Sequence, residues 1–200
     1  MPSIYVDHAA TTPLSPAAFK AITSQLQELG NPSSLHTHGR ATRKSLEDAR
    51  EAIAREVGSL ASEVIFTASG TEANNIALKG LWWNGKAKGK SIVVISAIEH
   101  HSNIVPWQMA CEQSGAVLKV IPVLDSGELD MDAYRDLLND KTKLVAVNHI
   151  SNALGTINPI EEMIPLAQAK GALVLIDGAQ ATPHTTVDVQ ALNCDFYCFS

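Results

Sequence analysis

The chain has 200 residues, 46% hydrophobic and 18% charged, with a formal net charge of −6; this is a globular composition, and an acidic balance with no basic run argues against a nucleic-acid surface. The longest apolar stretches, such as Leu144–Val147 and Ala172–Ile176, are far too short to cross a bilayer, and Met1–Tyr5 lacks the charged and apolar regions of a signal peptide. Cys111, Cys194 and Cys198 form no even disulfide framework, which points to a reducing cytoplasm.

Residues 16–29 and 38–57 read as two helices, joined by the loop Asn31-Pro32-Ser33-Ser34. Glu47, Arg50, Glu51 and Arg55 stand at helical spacing on a solvated face of the second. From residue 60 onward, short apolar runs alternate with helical patterns. The runs are Val64-Ile65-Phe66, Ile92–Ile95, Val117–Ile121, Leu144–Val147, Leu173–Ile176 and Phe196–Phe199. Each is β-branched or aromatic and continuously apolar, the pattern of strands buried on both faces. Helical stretches near 71–82, 103–114, 130–138 and 160–169 lie between them. The alternation predicts an α/β domain with a mostly parallel sheet. In such a sheet ligands bind beyond the carboxyl ends of the strands, so the polar residues after each run are the candidates.

After the first run, Ser69-Gly70-Thr71 opens a helix and offers free N–H groups, hydroxyls and a positive dipole end, the makings of a phosphate cradle; an ordinary N-cap is the plainer reading. After the second come Glu99-His100-His101. Adjacent loop histidines seldom converge on one metal ion, so an imidazole facing a flat ligand, or a solvated ring, are the alternatives. After the fourth, Asn152 can donate a side-chain hydrogen bond and Gly155 permits a tight turn. The fifth ends in Asp177-Gly178-Ala179-Gln180. A carboxylate at the end of a buried strand needs a cation or donors. A protonated pyridine nitrogen would serve, as would a turn cap or Mg²⁺, and Gln180 can reach the same ligand. Ser200, after the sixth run, adds a hydroxyl.

Taken in order, Tyr5–Pro13, Gly30–Ser34, Ser69–Asn75, Glu99-His100-His101 and Asp177–Gln180 resemble the cysteine desulfurase family (NifS/IscS/SufS-like, aminotransferase class V) over essentially the whole chain. The resemblance implies the large domain of a pyridoxal-phosphate (PLP) transferase of fold type I. It assigns residues 1–15 to an N-terminal segment bordering the substrate site and 16–200 to an incomplete PLP-binding domain. His100 is similar to the imidazole that stacks on the pyridine ring and assists proton transfer, and Asp177 to the partner of the ring nitrogen. Gln180 and Asn152 resemble the donors near the phenolic oxygen, and Gly70, Thr71 and Ser200 the phosphate clamp. His8, Ala9, Thr11, Asn31 and Ser33 resemble residues at the border of the substrate site. The implied reaction converts L-cysteine to L-alanine and passes sulfur on as a persulfide for iron–sulfur clusters and thio-cofactors. Implied partners are a sulfur acceptor or iron–sulfur scaffold and a second copy, in a cytoplasmic homodimer touching neither nucleic acid nor membrane. Asp7–Pro13 and the Asn31 loop lean toward the NifS/IscS branch, whereas His100–Gln108, Ser151–Pro159 and Val187–Ser200 lean toward the SufS branch.

The family's cofactor-holding lysine follows the strand matching Asp195–Ser200, and its cysteine loop and small C-terminal domain come later still. None is expected within this chain, and the three cysteines read as core thiols. In the family a later antiparallel strand separates those matching Val64–Phe66 and Phe196–Phe199. Without it the first run should lack a neighbour and the last keep a bare edge. The chain alone is therefore expected to pack loosely or aggregate and not to turn over cysteine, while the parent is a desulfurase. Alternatives are selenocysteine lyase, another class V enzyme such as an aminotransferase or epimerase, a non-catalytic partner subunit, and a Mg²⁺-dependent phosphate-binding α/β protein.

Overall fold

An apolar run becomes a strand where a neighbour satisfies its N–H and C=O groups, and five of the six runs find one. The computed structural model describes residues 3–83 and 89–200, apart from the side chains of Trp82 and Trp83. The strands are β1 (Ile92–Ser96), β2 (Val117–Ile121), β3 (Thr142–Asn148), β4 (Leu173–Asp177) and β5 (Phe196–Cys198). They form one sheet in the order β2-β1-β3-β4-β5, with every pairing parallel. The chain thus moves outward from β1 to β2, then returns to the other side of β1 to place β3. The gap between the β1 and β3 ends is the switch point where open α/β sheets take ligands.

The chain divides into two compact units, up to Val64 and from Ile65. In the first, α1 (Pro16–Leu26) starts where Ser15 Oγ accepts Ala18 N–H at 3.1 Å, and Pro16 fits a first turn that needs no donor. The helix expected to reach residue 29 stops at Leu26, ahead of Gly30 and Pro32. α2 (Thr37–Val57) starts at a His36 cap and ends at Gly58, in the left-handed conformation at φ 69°. Its Arg50–Glu47 and Arg55–Glu51 pairs have the helical spacing read from the sequence, and the structure adds a Lys44–Asp48 pair.

In the second unit, side chains alternate across the sheet. Val94, Val145, Val147, Val174 and Ile176 face one cluster with Tyr134 of α5 (Met131–Leu137) and Ile160, Met163 and Ile164 of α6 (Ile160–Ala169). Val93, Ile95, Leu144, Ala146 and Leu175 face the other, with Ala77 and Leu81 of α3 (Gly70–Trp83) and Trp107 and Cys111 of α4 (Val105–Ser114). Helices thus cover both faces, and a short α7 (Val189–Leu192) precedes β5.

Two expectations are corrected. Val64-Ile65-Phe66 is no strand; it follows a 3-10 turn (Ala61–Glu63) as irregular chain, with Ile65 69% exposed, because it joins no ladder of the sheet. Nor is every strand buried on both faces. β2 is an edge strand, and Val117 and Val120 are exposed. The other edge strand, β5, is half-buried and ends before Phe199. Among the described residues, no helix is long and apolar enough to cross a membrane.

Candidate active site

The parallel registers bring the polar strand ends to one edge, with Asn148 of β3 opposite Asp177 of β4 and Asp177 opposite Cys198 of β5. Asp177 is 9% exposed. Its Oδ1 accepts Ala179 N–H at 3.1 Å and its Oδ2 accepts Asn74 Nδ2–H at 3.2 Å. Among the described residues, the ion pairs join other side chains and no Lys, Arg or His pairs with it. A carboxylate held out of water by two neutral donors keeps an uncompensated charge, which is costly until a cation arrives.

Asn74 lies on α3, whose first turn is built by a reciprocal cap. Ser69 Oγ accepts Glu72 N–H at 3.2 Å, and the Glu72 carboxylate accepts Ala68 N–H. The plain N-cap reading is therefore realised, and it still leaves the Gly70 and Thr71 N–H groups without a hydrogen bond among the described residues. Both residues stand at the positive end of the helix dipole, and the space beside Gly70 is open. Asn74 is 2% exposed and also reaches Ser102 Oγ, at 3.4 Å. Ser102 Oγ in turn lies 2.8 Å from Nδ1 of His100, whose ring is exposed. His100, Ser102, Asn74 and Asp177 thus form one polar chain joining the loop after β1, α3 and the end of β4.

Glu99 sits behind this chain, 8% exposed. It accepts Asn103 Nδ2–H at 2.8 Å and Asn148 N–H at 2.9 Å, and also the Ser96 hydroxyl. Burial pushes its carboxyl up to about 7 against the pull of these donors, and the Asp177 charge adds to the rise. It ties the loop after β1 to β3 across the switch point. On the far side of Asp177, the Tyr197 ring lies directly against Gly178, where any Cβ would collide with it. Tyr197 OH is 2.9 Å from Nδ1 of buried His149.

The other expected residues are placed as follows. Asn152 is exposed at the tip of the loop after β3, in a turn closed by Gly155 N–H to Ser151 O at 2.9 Å, with Gly155 at φ 73°. Gln180 is half-buried in the turn in which Ala181 and Thr182 N–H return to Gly178 O. Ser200 is exposed, two residues beyond the Cys198 that pairs with Asp177. His8, Ala9, Thr11, Asn31 and Ser33 belong to the first unit. There the Ala10 and Thr11 N–H groups bond Asp7 O, and Asn31 Oδ1 accepts Ser33 N–H at 2.9 Å in a loop seated on buried Gly39. Cys111 and Cys198 are buried and Cys194 is half-buried. Burial pushes Cys194 up to about 11 and Cys198 to about 12, which keeps both protonated as core thiols.

Sequence reasoning did not single out Asn74, Ser102 or Tyr197. Asn74 had a readable signal, because it shares with Ala77 and Leu81 the buried i, i+3, i+7 stripe of α3. A polar residue on a core stripe demands a buried partner.

A doubly covered parallel sheet with a helix terminus, an imidazole and a buried carboxylate at its carboxyl edge defines a ligand-binding α/β domain. The family model described as Aminotransferase class-V matches residues 4–200, and the chain belongs to that family. It is similar to the cysteine desulfurases of Salmonella newport and Salmonella typhimurium, 44% identical over 167 residues, covering 83% of this chain and 41% of theirs. A solved NifS-like protein superposes with a TM-score of 0.91 at 27% identity, over 97% of this chain and 53% of its own. The apo cysteine desulfurase of Thermococcus onnurineus NA1 gives 0.88 at 30% identity, over 98% and 49%. SspA in complex with cysteine gives 0.91 at 28% identity, over 99% and 57%. The chain therefore spans less than half of the curated relatives and about half of the solved ones.

Proposed function

We propose that the chain is the cofactor-binding part of a PLP-dependent cysteine desulfurase that turns L-cysteine into L-alanine and hands the sulfur on as a persulfide. The observation that carries this reading is Asp177, a buried carboxylate with two neutral donors and no cationic partner among the described residues. That donor set fits a pyridinium nitrogen, and the unbonded N–H groups of Gly70 and Thr71 fit a phosphate. The desulfurase relatives and the cysteine held by SspA support the substrate.

Bound PLP supplies an electron sink for the substrate's Cα. Asp177 holds the proton on the ring nitrogen that makes the sink effective. Gly70 and Thr71 at the start of α3, with the Ser200 hydroxyl, hold the phosphate. His100 would face the ring and move protons at Nε2, and Asn152 and Gln180 would donate to the phenolic oxygen. His8, Ala9, Thr11, Asn31 and Ser33 border the cysteine. The three core thiols are unsuited to carry sulfur, so that role falls to a cysteine elsewhere in the whole protein. We assign that protein to a cytoplasmic homodimer serving a sulfur acceptor or iron–sulfur scaffold.

The test is to titrate the whole protein carrying this chain with PLP, follow its visible absorbance, and then assay alanine and sulfide from L-cysteine. A visible band and stoichiometric alanine are expected, both lost in Asp177→Ala. Tight PLP binding with turnover of a keto acid, or of selenocysteine alone, would replace the desulfurase reading by another class V activity. The absence of any PLP binding would end it.

A further inference from the structure

We infer that Asn74 and Ser102 are positioning residues that transmit the polarity of Asp177 to His100 and hold its imidazole in the tautomer protonated at Nε2. The inference deepens the proposed function and rests on it for the meaning of His100.

Of the four linked groups, the Asp177 carboxylate is the one whose role cannot invert. An ionised carboxylate accepts and cannot donate. Asp177 Oδ2, 3.2 Å from the Asn74 side chain, therefore requires the amide nitrogen on that side, since a flipped amide would set oxygen against oxygen. The flip is settled by chemistry, and it leaves Asn74 Oδ1 buried without a hydrogen-bond partner among the described residues. An orphaned acceptor costs roughly 1–3 kcal/mol in general, so this orientation is maintained against a local penalty.

With the amide fixed, its second hydrogen serves Ser102 Oγ at 3.4 Å. A hydroxyl that accepts there has its own proton free for another acceptor, and His100 Nδ1 lies 2.8 Å away. The same Nδ1 already accepts Ser102 N–H at 3.2 Å as the cap of the 3-10 turn His101–Asn103. Two donors converge on Nδ1, so the ring proton sits on Nε2. A carboxylate at the end of β4 thereby reinforces, three side chains away, the choice of donating nitrogen that the Ser102 N–H already favours.

The test uses the whole protein labelled with 15N-histidine, free of PLP and at alkaline pH. The seven histidines are resolved by comparison with His100→Asn. His100 is expected to show an unprotonated Nδ1 and a protonated Nε2. Ser102→Ala keeps the backbone donor and removes the hydroxyl, so the tautomer ratio should move toward Nδ1–H by roughly five-fold, the loss of one neutral hydrogen bond. Ser102→Thr, which keeps a hydroxyl, should restore it. Asn74→Ala should shift the ratio in the same direction. The unchanged signals of the other histidines report that each variant is folded.

A protonated Nδ1 in the unsubstituted protein overturns the inference. So does a ratio that stays put in both Ser102→Ala and Asn74→Ala. Because the spectra are taken without PLP, such a failure is separate from a failure to bind the cofactor, which the visible titration reads.

Discussion

Charge at two carboxyl groups sets the chemistry of the sheet edge, and the two are balanced differently. Among the described residues Asp177 has two neutral donors and no cationic partner. Asp177→Asn preserves its size while removing that charge. Activity of the whole protein should fall on the order of 100-fold or more, as for loss of a preorganised electrostatic contact. The cofactor-free protein should melt at the same or a higher temperature, because an unpaired buried charge has gone. A lower melting temperature would mean that Asp177 is a structural cap instead. Glu99 behaves in the opposite sense. Its carboxyl rises from 4.5 when unfolded to about 7 when folded, so folding favours the protonated form. The stability it contributes is complete below the unfolded value and is lost as pH rises through 7. The loss above that pH is on the order of 3 kcal/mol. Urea unfolding across this range should show stability falling toward alkaline pH, and Glu99→Gln should flatten the slope.

At the level of elements, runs such as Leu144–Val147 and Leu173–Ile176 were readable because burial on both faces writes a continuous apolar signal. Val64–Phe66 carries the same signal and forms no strand, since a strand depends on a neighbour that local sequence does not encode. Asp177 and His100 were readable as polar residues placed just after such runs. Asn74 and Ser102 were not, because what they do is defined by residues 103 and 28 positions away in the chain. Gly178 shows the same limit. A glycine is required there by the Tyr197 ring pressed against it from β5, a contact that the local sequence does not encode. In Gly178→Ala the ring must move and its bond to His149 breaks. We expect a loss of about 1–3 kcal/mol, the usual cost of overpacking, measured by denaturant unfolding. A neutral result would show that the β4–Gly178 turn shifts freely, which would also weaken its use as a rigid mount for Asp177.

Across the whole molecule, the two units differ in how they treat apolar surface. From Ile65 onward the strands and helices bury most of theirs in two clusters, one on each face of the sheet, with β2 the exposed edge. Up to Val64 much of it is open. α1 has no buried residue, and Ile4, Val6, Phe19, Leu26, Leu29 and Leu35 are each more than half exposed. Scattered exposed apolar side chains are normal, but such a density within the first 35 residues marks surface that another surface covers. A chain of these 200 residues alone should therefore associate in solution and bind a hydrophobic dye, whereas the whole protein should bind less dye. Replacing Phe19 and Leu26 with Ser should reduce dye binding by the short chain without lowering its melting temperature, because neither side chain is buried here. In the whole protein the same pair should be destabilising, by about 1–3 kcal/mol for each side chain that has become buried. A soluble short monomer with a sharp, reversible thermal transition and no dye binding would show instead that this surface is stable in water, and the expectation of a covering partner would fall with it.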